Sequence, residues 1–62
     1  MHYTIESANA WGVTCFLTAR GEWSFKRSEA KRFATLAEAQ AAQTDGPLAR
    51  LGKLGRIEKY ND

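Results

Sequence analysis

Few side chains in this sequence could carry out covalent or metal chemistry. It has one histidine, His2, and one cysteine, Cys15. A cysteine nucleophile needs a base beside it and a third group to orient that base in a water-poor cleft. His2 sits near the start of the sequence, where mobility is the default, and no third partner is evident. Metal binding has no better support. There is no C-x-x-C and no H-x-x-x-H, so the soft and imidazole ligands amount to one of each. The carboxylates Glu6, Glu22, Glu29, Glu38, Asp45, Glu58 and Asp62 are spread singly, without a close pair or the spacing of a calcium loop. Gly52-Lys53-Leu54-Gly55 is too short for a phosphate-cradling loop and lacks its following Ser or Thr. The expectation is a protein without catalytic, cofactor or metal residues, and not an enzyme.

Basic charge is the remaining chemical signal. Nine Lys and Arg face seven Asp and Glu, giving a net charge of +2 and a pI near 9.0. Their placement is less even than that total. Arg20, Lys26, Arg27, Lys31 and Arg32 gather around the middle of the chain, and Arg50, Lys53, Arg56 and Lys59 close it. Two uses fit these residues. The first group, with Phe16 as an aromatic centre, suits a protein interface, where arginine and aromatic side chains dominate affinity. The second group suits phosphates in a small nucleic-acid-binding regulator, with Phe16 or Trp23 available for stacking. If all four basic residues met phosphates, log K would fall against log salt with a slope of about −3 to −4.

These side chains must be positioned by very little chain. Sixty-two residues make one domain, spanning 1–62. A chain of this length buries only about 60% of its unfolded surface, which leaves a stability of a few kcal/mol. Hydrophobic residues are 44% and charged residues 26%, an ordinary globular balance rather than a disordered one. A small domain with one cysteine cannot be stapled by an internal disulfide, which favours a reducing, cytoplasmic setting. No apolar run approaches a membrane span, so no membrane partner is expected.

The pattern predicts β-β-β-α-β. Tyr3–Ser7 alternates as a first strand, Ser7–Ala10 turns, and Trp11–Thr18 is the longest β-rich stretch. Gly21 closes a short link to a third alternating stretch, Glu22–Lys26. Thr35-Leu36-Ala37-Glu38 matches a helix-capping box, followed by Ala and Gln helix formers and stopped by Gly46-Pro47. Ser28–Phe33 admits two readings, a helical turn capped by Ser28 or a loop that plants Phe33 in the core. From Pro47 onward, apolar and basic residues recur every three positions. Gly52 and Gly55 argue against one continuous helix, so a helical turn at Pro47–Leu51 and a final strand at Arg56–Tyr60 are expected.

The fold class is α+β: a small antiparallel sheet of three to four strands with one helix packed on one face. Alternation assigns Trp11, Val13, Cys15 and Leu17, with Trp23 and Phe25, to the helix-covered face. Phe33 joins them in the core. Thr14, Phe16, Thr18, Ser24 and Lys26 then lie on a solvated face, with Phe16 its exposed aromatic. The partner-binding expectation is this face with its basic flank: Phe16, Arg20, Lys26, Arg27, Lys31 and Arg32. Two unpaired sheet edges suit a monomer or a weak homodimer.

Phe16-Leu17-Thr18, then Gly21-Glu22-Trp23, then Glu29-Ala30-Lys31-Arg32-Phe33-Ala34-Thr35 with Glu38-Ala39, resembles a pattern in very short bacteriophage and prophage proteins. In those proteins a strand ending in Leu-Thr meets a G-E-W turn, and E-A-x-x-F-x-T-x-x-E-A leads into a helix. The likeness covers residues 16–42 and concerns Trp23 and Phe33 in the core and Thr35 as cap, not a catalytic site. It implies an accessory protein acting by stoichiometric binding to a host protein or ribonucleoprotein complex. Anti-CRISPR proteins are the sharpest instance.

Overall fold

The computed structural model describes residues 1–61. Their elements run β1 (His2–Ala8), β2 (Thr14–Leu17), β3 (Trp23–Ser24), α1 (Leu36–Thr44), α2 (Ala49–Gly52) and β4 (Arg56–Tyr60), with a 3-10 turn at Arg27–Glu29 before α1. The strands form one antiparallel sheet in the order β3-β2-β1-β4. This is the α+β architecture expected, with a short second helix at the helical turn read near Pro47–Leu51. β1 is interior, hydrogen-bonded to β2 on one side and to β4 on the other.

The core lies between the sheet and the helices. Ile5, Leu17, Phe33 and Ala39 are its buried centre, with Tyr3, Trp23, Ala42, Leu48, Leu51 and Ile57 packed around them. Alanines at 39 and 42 let α1 lie close to the strands. Thr35 caps α1, its Oγ1 accepting from the Glu38 backbone N–H at 3.1 Å. The Glu38 carboxylate meets the Thr35 hydroxyl at 3.4 Å rather than reaching back to a backbone donor. At the other end the backbone turns extended at Asp45, and Gly46 follows with φ +84, a left-handed conformation that glycine adopts without strain. Gln43 then ties α1 to the chain beyond it, its Nε2 donating to the carbonyls of Gly52 (3.2 Å) and Gly55 (3.1 Å). Gly55 has no room for a side chain. A Cβ there would stand 2.8 Å from the Glu6 carbonyl oxygen and 2.9 Å from Ile5 Cγ2.

The second strand is shorter than its β-rich sequence predicts, and Trp11 and Val13 do not belong to it. Asn9 Oδ1 accepts the backbone N–H groups of Trp11 (2.9 Å) and Val13 (3.0 Å), and Gly12 adopts φ +79. This turn extends from Asn9 to Val13 and leaves both apolar side chains exposed. Phe25 also leaves the core, because β3 ends at Ser24 and Phe25 is 65% exposed.

The larger correction concerns the sheet face assigned to solvent. β3 lies outside β2, yet residues 30–33 pair between the diverging ends of β2 and β1. Thr18 bridges Ala30, Lys31 N–H donates to the Leu17 carbonyl at 2.9 Å, and Tyr3 and Phe33 exchange backbone hydrogen bonds. To get from one place to the other, residues 25–29 must cross β2. They cross on the face that the helices leave bare, as a strap containing the 3-10 turn. Both readings of Ser28–Phe33 are therefore met in part: a helical turn comes first, not capped by Ser28, and an extended segment then plants Phe33 in the core. Under the strap, Phe16 is only 8% exposed, and Thr4, Glu6 and Thr18 are buried as well. Phe16 is not a surface residue.

Candidate functional site

Residues opposite one another in an antiparallel ladder share a face. Glu6 pairs with Phe16 and Arg56, Phe16 with Ser24, Thr4 with Glu58, and His2 with Tyr60, so all of these lie on the strap side. Their polar groups form a connected set. Glu6, 4% exposed, accepts hydrogen bonds from Thr4 Oγ1 at 2.7 Å and from the Tyr60 hydroxyl. His2 stacks on the Tyr60 ring, and the Arg27 guanidinium sits over that ring, 4.0 Å from its centroid. The hydrogen bond to the Glu6 carboxylate, followed by desolvation and the charge of Glu6, pushes the Tyr60 phenol above its ordinary pKa, and Arg27 partly opposes this. The strap is anchored where it begins: the Ser24 hydroxyl donates to Glu29, and the Lys26 N–H donates to Ser24 Oγ at 3.1 Å.

The strap also carries Lys26 and Arg27 of the first basic group. Lys26, Arg27 and Arg32 are exposed on it or beside it, Phe25 is exposed next to Lys26, and Lys31 lies over the ring of the core residue Phe33 at 5.3 Å. Arg20 stands apart in the turn after Thr18, 3.8 Å from Glu22. Glu29 accepts from the Ser24 hydroxyl, and Glu22 offsets Arg20 at the margin of the group. Of the expected interface, then, Lys26 and Arg27 lie on the strap and Arg32 follows it, Lys31 is turned to the helix side with Phe33, Arg20 is at the margin, and Phe16 lies beneath. Phe25 supplies the exposed aromatic that Phe16 does not. Its signal was the shortness of the apolar-polar alternation after Trp23.

The second basic group is divided. Arg50 is on α2 and Lys53 caps its end, whereas Arg56 and Lys59 are on β4. Arg56 Nε is 2.6 Å from Glu58 Oε2. An odd spacing puts Arg56 and Lys59 on opposite sheet faces, so no single strand surface presents all four to one phosphate backbone.

His2 and Cys15 also lie on opposite faces, since Cys15 alternates with Phe16, and they cannot act together on one bond. Among the described residues, no three of His, Cys, Asp and Glu are close enough to hold a metal ion, and no helix is long and apolar enough to cross a membrane. Cys15 is half-buried, with Ser7, Ala8, Asn9 and Trp23, around a groove of about 180 Å³. No protein-family model, no curated protein and no solved structure matches this chain.

Proposed function

We propose that this chain is a non-enzymatic binding protein that docks stoichiometrically on a larger host protein or ribonucleoprotein complex and blocks or modulates it. That is the role implied by the phage-type resemblance of residues 16–42, with anti-CRISPR inhibition in a bacterial cytoplasm its sharpest form. The observation that carries the reading is the strap. It holds an exposed aromatic, Phe25, beside Lys26, on a segment pinned to the sheet at both ends and leading into Arg32, and the described residues offer neither Lys26 nor Arg32 a carboxylate partner. An aromatic and arginine centre on a pre-ordered segment loses little entropy on docking, and its charge suits an acidic protein surface.

The test is inhibition of purified CRISPR effector complexes in a target-cleavage assay, together with capture of a partner from bacterial lysate. The double variant Phe25→Ala, Arg32→Glu should lose capture and inhibition while its thermal melt stays within about 2 °C of the parent, as surface substitutions do. A parent that captures nothing overturns the function. A double variant that still captures the same partner overturns the strap as the interface. Capture of nucleic acid alone, weakening steeply with salt, would shift the reading to the basic residues of α2 and β4.

A further inference from the structure

Two features of the β1–β2 hairpin are used by nothing else in the fold. The first is Trp11, 85% exposed at the tip. Its backbone is held rather than loose. Besides the two bonds to Asn9 Oδ1, the Gly12 N–H donates to the Asn9 carbonyl and the Asn9 N–H to the Val13 carbonyl, each at 3.0 Å. A large aromatic on a pre-formed turn gives up little freedom when it docks. The second is the groove of about 180 Å³ between Ser7, Ala8, Asn9, Cys15 and Trp23. Ladder pairing of Ser7 with Cys15 and of Leu17 with Trp23 puts it on the helix-side face, yet no helix residue lines it. An enclosed apolar cavity of about 150 Å³ accommodates a benzene ring, so this open groove has room for the six-membered ring of an indole, with the rest of the side chain leaving through its mouth.

We propose that Trp11 of one copy seats in this groove of a second copy, and reciprocally, in a two-fold symmetric dimer. An isologous contact needs projection and recess on one continuous surface, so that a single axis satisfies both. Asn9 meets that condition directly, because the same residue lines the groove and holds the turn that presents Trp11. Charge selects the occupant. The chain is 26% charged, yet residues 7–19 contain no charged residue at all. Two copies with the same net charge of +2 meet here without like charges opposed. An acidic or nucleic-acid partner would find no cation in this stretch. The contact does not use the strap and stands or falls apart from it.

Cys15 is a built-in reporter, because a seated indole would cover the groove its side chain lines. In reducing buffer, sedimentation should show the mass rising from 6.9 kDa toward twice that as concentration increases. The reaction of Cys15 with an alkylating reagent should slow by about tenfold once nine-tenths of the chain is associated, by mass action. Trp11→Ala, at an exposed turn position, should remain monomeric with concentration-independent Cys15 reactivity and an unchanged circular dichroism spectrum. Ser7→Arg, which places a charge in the groove on the face Ser7 shares with Cys15, should behave alike. A parent that stays monomeric up to about 1 mM, where even weak association registers, overturns the proposal. So does a dimer that persists in Trp11→Ala.

Discussion

The two faces of the sheet are both buried, by opposite means. On the helix side, Ile5, Leu17, Phe33 and Ala39 exclude water as an aliphatic and aromatic cluster under α1 and α2. On the strap side, Thr4, Glu6, Thr18 and Phe16 are covered by a few residues crossing β2. Hydrophobic burial is non-directional and tolerates exchange of similar volumes. Polar burial is stabilising only when each group finds its partner, and among the described residues no buried side-chain nitrogen or oxygen lacks one. One pair of strands thus supports a core that depends on volume and a second that depends on hydrogen-bond geometry.

Truncating a large side chain on each face tests whether both are cores. Phe16→Ala should cost about 3–5 kcal/mol and Leu17→Ala about 2–5 kcal/mol, either sufficient to unfold much of so small a domain. Urea titration would show it. A Phe16→Ala loss within about 0.5 kcal/mol, the range of an ordinary surface position, would mean that the strap does not close its face. The difference in kind is tested next. Glu6→Ala should cost about 1–3 kcal/mol by orphaning the Thr4 and Tyr60 hydroxyls, whereas Leu17→Met should cost less than about 1.5 kcal/mol. Equal costs would erase the distinction.

Thr35→Ala removes a cap at the edge of the helix side and should cost about 0.5–2 kcal/mol, seen as a drop of several degrees in melting temperature. A variant that melts like the parent would deny the cap any energetic role. The smallest effect belongs to the strap side and depends on pH. Because folding raises the Tyr60 pKa, the folded chain holds that proton more tightly than the unfolded one. Its contribution is complete below the ordinary tyrosine pKa of about 10 and is lost as pH rises through the folded value. Stability measured from pH 9 upward should fall less steeply in Tyr60→Phe than in the parent, and identical slopes would remove Tyr60 from the linkage.

What could be read from the sequence was what local signals decide. Thr35 followed by Glu38, Gly46 before Pro47, and the alternation of residues 56–60 each act within a few residues, and the structure places α1 and β4 accordingly. Asn9 and Gly12 were also local signals for the hairpin tip, but the β-rich run through Trp11 and Val13 outweighed them, so the most exposed large aromatic was assigned to the core. The strap had no local signal. Its course follows from where Phe33 must pair, between β1 and β2, which alternation cannot reveal. Period-two reasoning assumes one dry face. Thr4-Ile5-Glu6 and Phe16-Leu17-Thr18, each buried in all three residues, break that assumption, and with it the placement of Phe16 in the candidate interface.

The position of β1 has a consequence for how the chain acquires its shape in time. The hydroxyl that closes on Glu6 comes from Tyr60, 54 residues later, and the strand that flanks β1 opposite β2 is the last one made. Contacts so distant in sequence are slow to form, since the intervening chain must first be brought to order. During synthesis β1 and β2 can pair as a hairpin, but one side of β1 then presents unsatisfied N–H and C=O groups until residues 56–60 emerge. An open edge of that kind invites pairing with other chains. The vulnerable period of this protein is therefore the interval between making its second strand and its fourth, and a nascent chain halted in that interval is the form most prone to aggregate.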